Sequence, residues 1–267
     1  RFYSLLIHKI FAMVCYHNFM TCADRASLFI KGTVPMQTPQ ELELDQDREE
    51  LQSYLLDHPD DFVTHILQFN EMLARYRAAS QEITTKLEIL RNDFNTRQYR
   101  NPIESIQTRI KRPASIVGKM KARGMDITLE SIEKELNDIA GIRVVCSFID
   151  DIYMVAEKLL AQDDLRLIRV KDYIKNPKPN GYRSLHLIVE TPIFLHDQKR
   201  LMKVEVQFRT ISMDWWASLE HRIRYKKDLQ MEEGLHRELF ECAEQSAELD
   251  RRMERIHRAA ETLRTEE

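Results

Sequence analysis

Apolar residues recur at helical spacing between positions 60 and 95, first as Phe62, Ile66, Phe69, Leu73 and Tyr76, then as Ile83, Leu87, Leu90 and Phe94. That period predicts one long amphipathic helix, or two, whose stripe faces a core and carries no chemistry of its own. From about 105 to 210 the rhythm changes to short β-rich runs separated by helical segments: IQTRI, GIRVVCSF, LRLIRV, SLHLIVE and LMKVEVQF. Runs of this kind with helices between them predict an α+β fold, in which a mixed five-stranded sheet is flanked by helices. Residues 150–161 read as a helix whose acidic first turn suits the macrodipole, and 211–227 as another. In 231–260, Leu235, Leu239, Cys242, Leu249, Met253, Ile256 and Ala260 follow an a/d-like rhythm. A heptad rhythm this short predicts a packing face within the chain, with a self-associating helix pair as the second reading.

The strand patterns also sort polar groups. Along 201–209, Met202, Val204, Val206 and Phe208 take one face while Lys203, Glu205, Gln207 and Arg209 take the other. A period of two makes the split unambiguous, and the polar face is either a solvated sheet surface or the floor of a site. In NGYRSLHLIVE, Tyr182, Ser184 and His186 share one face opposite Leu185, Leu187 and Val189. Asn180 and Gly181 supply a sharp turn before them. A ring beside a turn, with a His further along, can stack on a base and bind a phosphate, or can be half-buried packing.

Asp138 stands before the run IRVVC, and Arg143 lies on the opposite face from Ile142, Val144 and Cys146. A carboxylate there is either a Mg²⁺ ligand, to which Glu205 would add a second, or a turn cap. Finally, TRIKRPASIVGKMKARG joins a strand to a helix start at Pro113 and Ser115 and carries Arg109, Lys111, Arg112, Lys119, Lys121 and Arg123. Polyphosphate could sit over that helix's first turn. Gly118-Lys119 lacks the upstream Gly of a Walker A loop, so a P-loop ATPase is excluded.

Composition narrows the picture further. A charged fraction of 31% beside a hydrophobic fraction of 43% describes a globular chain, and 267 residues suffice for one catalytic domain with helical flanks. The net charge of −3 hides an uneven distribution: 41–61 is acidic, while 105–124 contains six cations and no acid. The basic stretch calls for an anion or is a solvated helix face. Cys15, Cys22, Cys146 and Cys242 form no C-x-x-C pair and have no His at metal-ligand spacing, so neither zinc nor a disulfide framework is expected and a reducing cytoplasm fits. The apolar opening is interrupted by His8, Lys9 and His17, so no membrane span is expected. Because the chain begins with Arg, it is expected to be a fragment or a reading frame opened upstream of its true start, and 1–35 is uninformative.

DIAGIRVVCSFIDDIY, KDYIKNPKPNGYRSLHLIVE and VEVQFRTISMDWWASLEH, together with the basic segment, resemble the synthetase domain of RelA/SpoT proteins, above all the small alarmone synthetases of the RelQ type. The likeness runs from about 60 to 260 and implies a nucleotidyltransferase-like synthetase fold. It implies transfer of pyrophosphate from ATP to the 3′-OH of GDP or GTP, releasing AMP and forming (p)ppGpp. By the same resemblance, Arg109 and Arg143 sandwich adenine, Lys111 and Lys119 hold the ATP phosphates, and Lys121 and Arg123 continue that clamp. Tyr182 stacks on guanine, Lys178 and His186 reach the acceptor's phosphates, and Gln207 and Arg209 complete the polar strand face. Asp138 becomes the Mg²⁺ ligand and Glu205 the general base and second ligand. Thr108 replaces the usual Gly before the first motif's arginine.

The expected organisation is an extension over 1–35, a helical segment over 36–100, the catalytic core over 101–228 and an oligomerising C-terminal helix over 229–267. The resemblance further implies a cytoplasmic homotetramer, with (p)ppGpp as effector or single-stranded RNA as further ligands; neither DNA nor membrane is expected as a partner. Alarmone hydrolysis is not expected, because no HD-type metal site is present. A nucleotidyltransferase, which releases pyrophosphate instead of AMP, is the rival enzyme, and a non-catalytic nucleotide- or RNA-binding module is the rival of another class.

Overall fold

The computed structural model describes residues 59–97, 100–225 and 233–265. The expectations for 1–35 and for nearly all of the acidic 41–61 stretch fall outside them. The described chain forms α1 (Pro59–Arg97), β1 (Ile103–Ile110), α2 (Pro113–Ala122), α3 (Leu129–Glu135), β2 (Ala140–Cys146) and α4 (Ile149–Leu160). β3 (Arg166–Asp172), β4 (Leu185–Phe194), β5 (Lys199–Thr210), α5 (Ile211–Tyr225) and α6 (Glu233–Thr265) follow. The strands make one sheet in the order β1-β2-β5-β4-β3. β2 and β5 run parallel and every other neighbouring pair is antiparallel, so the sheet is mixed, as expected.

The described residues divide into two compact units, 59–74 with Lys111–Leu136, and the described residues from Arg75 onward outside 111–136. In the first, α2 begins with Pro113, whose fixed φ suits the first helical position. α3, which the apolar period did not separate, is started by Thr128, whose hydroxyl accepts a hydrogen bond from Ser131 N at 3.1 Å. Ile116, Met120, Ile132 and Leu136 are fully buried there.

The second unit contains the sheet. The residues read from 60–95 as one helix or two form the single helix α1, with Tyr76, Ile83 and Leu87 buried at helical spacing. Val204, Val206 and Phe208 of β5, Ile142 and Val144 of β2, and Leu187 and Val189 of β4 are buried, as the alternation predicts. α4 lies on β2 and β5, burying Ile152, Val155, Ala156 and Leu159 from one helix face. Of these, Ile152, Val155 and Leu159 each contribute roughly 1.5–3 kcal/mol by their removal from water.

α6 differs from its sequence reading. Leu235, Cys242, Leu249, Met253, Ile256 and Ala260 are exposed and Leu239 is half-buried, while Ala243, Ser246, Ala247, Asp250 and Glu254 are buried. The packing face is therefore small and polar, because close approach of a helix to neighbouring backbone favours small side chains over large apolar ones. The Glu254 carboxylate accepts hydrogen bonds from Ile149 N and Asp150 N at the start of α4, 2.8 and 3.4 Å away. An anion at a helix N-terminus satisfies otherwise open donors. Beside it, His257 stacks on Phe148 with ring centroids 4.2 Å apart.

At the far end of β4, Pro192 pairs with Leu201 of β5 but lies beyond the last residue matched by β3, where Arg166 faces Glu190. A proline is tolerated in a strand where its missing N–H has no partner to meet. Among the described residues, no helix is long and apolar enough to cross a membrane.

Candidate active site

Sheet register gathers the polar positions into rows. Gln107, Arg143, Gln207, His186 and Lys171 are successive partners across β1, β2, β5, β4 and β3. The next row runs through Arg109, Gly141, Glu205, Ile188 and Arg169. Paired residues point to the same side of a sheet, so Arg109, Arg143, Glu205, Gln207 and His186 share one face. That face is the floor of a connected network rather than a simply solvated surface.

At its centre, the His186 ring bridges two groups: Nε2 lies 2.9 Å from the Tyr182 hydroxyl, and Nδ1 lies 3.2 Å from Glu205 Oε1. Gln207 Nε2 donates to Glu205 Oε2 at 2.7 Å. The Arg209 guanidinium donates to the Tyr182 hydroxyl at 2.9 Å, to Gln207 Oε1 at 3.2 Å and to Asp214 Oδ1 at 2.9 Å. Asp214 also pairs with Arg143 at 3.2 Å. Ser184 Oγ donates to the Tyr182 hydroxyl as well, at 3.0 Å. The network spans β2, β4, β5 and the first turn of α5, so the polar face is held in one arrangement before any ligand arrives.

Electrostatics follow from that wiring. Burial pushes the Glu205 carboxyl up and the nearby Asp138 charge adds to this, but hydrogen bonds and charge from His186, with the Gln207 amide, outweigh both. Glu205 therefore sits below its ordinary value and is ionised at neutral pH. Burial likewise lowers Arg143, helped by Arg209 and Arg109 and opposed by Asp214. The Asp138 charge, two residues before β2, acts on Glu205 in the raising direction.

Tyr182 is half-buried. Lys178 Nζ lies 4.6 Å from its ring centroid and 4.7 Å from that of Tyr173, and the Arg209 guanidinium lies 5.2 Å from the Tyr182 ring. Tyr173, Tyr182 and His186 meet edge to face. This cluster offers an aromatic surface flanked by cations, suited to a base with attached phosphates.

The structure thus brings Arg143, Lys178, Tyr182, His186, Glu205, Gln207 and Arg209 into one region, with Arg109 on the exposed β1 edge of the same face. Lys111, Lys119, Lys121 and Arg123 belong to the first unit, where Lys119 and Lys121 occupy the last turn of α2. Sequence reading missed Asp214, which couples the two arginines, and Tyr173. Neither carries a local signal: Asp214 resembles any acid in a helix's first turn. Lys171 and Arg169 were also missed, although the alternation of LRLIRVKD places them on one face two residues apart.

The mixed sheet thus carries a carboxylate, imidazole and guanidinium face beside a cation-flanked aromatic cluster. Residues 108–230 match the family described as the region found in RelA / SpoT proteins. The chain is 44% identical over 196 residues to the GTP pyrophosphokinase YwaC of Bacillus subtilis, covering 73% of this chain and 93% of that protein. The crystal structure of small alarmone synthetase 1 from Bacillus subtilis bound to its product pppGpp matches with a TM-score of 0.67 at 36% identity, over 71% of this chain and 96% of that one. Small alarmone synthetase 2 from the same organism matches with a TM-score of 0.66 at 43% identity, over 72% and 98%. The chain belongs to the RelA/SpoT family.

Proposed function

We propose that the chain is a GTP pyrophosphokinase that moves the β,γ-pyrophosphoryl group of ATP to the 3′-OH of GDP or GTP. The new bond joins the acceptor's 3′-oxygen to the β-phosphorus, the bond from that phosphorus to the α-phosphate's bridging oxygen breaks, and AMP leaves. The observation that carries this reading is the ionised Glu205, held by His186 and Gln207 beside the Tyr182 cluster, in a chain 44% identical to a GTP pyrophosphokinase over 93% of its length.

In this reading Glu205 takes the 3′-hydroxyl proton, a role open to a carboxylate that is already ionised and fixed in place. Tyr182 stacks on guanine, Lys178 and His186 meet the acceptor's phosphates, and Gln207 and Arg209 keep Glu205 and Tyr182 in position. Arg109 and Arg143 lie two residues apart along adjacent strands of the same face, a separation that supports their clasping adenine. Lys111, Lys119, Lys121 and Arg123 are proposed to neutralise the ATP phosphates. Most of the catalysis is then positioning and charge stabilisation.

The Asp138 and Glu205 carboxylates, the first of whose charges acts on the second, are hard oxygen donors of the kind that suits Mg²⁺, which takes one or two carboxylates and completes its shell with water and substrate phosphates. Among the described residues there is no larger cluster of His, Cys, Asp and Glu that could hold a metal ion. Asp138 and Glu205 would hold it, and when bound it would supply charge neutralisation on phosphate oxygens.

Cytoplasmic residence and a homotetramer built through the helical flanks belong to the same proposal. The exposed Leu249, Met253 and Ile256 of α6 support self-association. The tetramer would also bind (p)ppGpp as effector or single-stranded RNA. Incubation with radiolabelled ATP, Mg²⁺ and GDP or GTP should yield AMP and a guanine nucleotide with two added phosphates. Release of pyrophosphate, or binding without turnover, would replace this reading with a nucleotidyltransferase or a binding module.

A further inference from the structure

At Gly181, one residue before Tyr182, the chain meets α6. Gly181 has a φ of +85°, and a Cβ added to it would lie 2.5 Å from the Ala243 Cβ. No L side chain fits in that space without moving the helix, so glycine is required twice over, by conformation and by contact. The turn is closed internally: Gly181 N donates to Lys178 O at 2.8 Å, Lys178 N donates to Tyr182 O at 3.1 Å, and Asn180 Oδ1 accepts from Tyr182 N at 3.3 Å.

Arg183 ties this turn to the helix. Its Nη1 donates to Gly181 O at 3.1 Å and to Ala243 O at 3.4 Å, and its Nη2 pairs with Glu244 at 2.8 Å. Although arginine usually reaches water, this side chain is only 12% exposed, so its charge is spent on the contact rather than offered to a ligand. Two further links run beside it. Trp216 Nε1 donates to Leu239 O at 3.0 Å, and Asn180 Nδ2 donates to Glu220 on α5 at 3.2 Å. Tyr182 itself packs on the buried cluster of Trp216, Ala217 and Ala243.

Tyr182 is therefore held at both ends by different parts of the molecule. Its hydroxyl is fixed by Arg209, Ser184 and His186 on the sheet, and its backbone is fixed by α6 through Arg183 and Gly181. We infer that Arg183, acting with Glu244 and Ala243, is a positioning residue that sets the Tyr182 ring for the guanine nucleotide and so makes α6 part of the acceptor site. The inference rests on the proposed stacking role of Tyr182. It assigns α6 a share in acceptor affinity that its small, polar packing face would not by itself suggest.

The test is steady-state kinetics on the full chain with ATP and GDP varied in turn, beside thermal denaturation. Arg183→Met should raise the KM for GDP by about tenfold, the loss expected when charge-assisted hydrogen bonds to a positioned turn are removed, with kcat and the KM for ATP changed less than about twofold. Arg183→Lys should restore part of the loss. Glu244→Gln, a change on a half-exposed side chain, should give a smaller rise of the same kind. A double-mutant cycle of Arg183→Met with Glu244→Gln should show coupling.

Tyr182→Ala separates this inference from the reading it rests on. If Tyr182→Ala raises the GDP KM and neither Arg183→Met nor Glu244→Gln does, the clamp is refuted and stacking stands. If Tyr182→Ala itself leaves the GDP KM unchanged, the stacking reading fails and the inference with it. If the Arg183 and Glu244 variants lower thermal stability and raise both KM values equally, Arg183 is a structural residue only and the inference is overturned.

Discussion

The two faces of one sheet are stabilised in opposite ways. On one, Val204, Val206, Phe208, Leu187 and Val189 are removed from water and need no particular partner beyond close packing. On the other, Glu205, Gln207, Arg209 and His186 are each fixed by named hydrogen bonds. An apolar layer of this kind tolerates exchange between side chains of similar volume, because burial is non-directional. A polar network does not, because a partner removed leaves a buried donor or acceptor unmet. The strands thus carry stability on one side and specificity on the other, and each substitution should disturb mainly one of the two.

The largest expected effect tests the apolar side. Phe208→Ala should cost about 3–5 kcal/mol of stability in chemical denaturation, with the polar face losing activity only as folded protein is lost. Glu205→Gln reverses the pattern: synthesis should fall on the order of 10²-fold while the denaturation midpoint and nucleotide binding stay largely unchanged. Near-normal turnover in that variant would remove Glu205 as the base. Tyr182→Ala should weaken the guanine nucleotide by about 1–3 kcal/mol, read in the acceptor KM.

Two buried carboxylates sharpen the comparison further, because their environments push them in opposite directions. Glu205 has donors from His186 and Gln207 and is held below its ordinary value. Asp250, on the buried face of α6, is raised by burial first and by Glu254, only partly offset by Thr210, Arg251 and Arg183, and reaches about 6. A folded pKa above the unfolded one means that the contribution of Asp250 to stability is complete below about pH 4 and is lost as the pH rises through about 6. Asp250→Asn removes that loss. Thermal denaturation should show the variant more stable than the native chain at pH 8, by about 1–3 kcal/mol, with the advantage gone near pH 4.

The sheet and its polar face were legible because a strand reports its two sides through strict alternation. Glu205, Gln207 and Arg209 could be assigned to one face from VEVQFR alone, and the register then set His186 and Arg143 beside them. Long-range hydrogen bonds leave no such trace. Arg183 and Glu244 are 61 positions apart, and nothing in either local pattern announces the other. The packing face of α6 escaped the heptad rhythm for a related reason. Periodicity follows large apolar side chains, whereas close approach depends on Ala243 and Ala247, and docking on carboxylates such as Glu254 that look like ordinary surface charge. Asp214 escaped notice similarly, since its importance comes from standing between two arginines that the chain supplies from different strands.

Beyond Arg166, the first residue of β3, the hairpin of β4 and β5 continues without a β3 partner and leaves an open backbone edge, with Phe194 largely exposed near its tip. An uncovered edge beside an exposed aromatic ring is a template on which a second chain could add a strand and begin to aggregate. Pro192 interrupts that row of backbone donors at the position where β4 has lost its outer neighbour. It thereby blunts the edge.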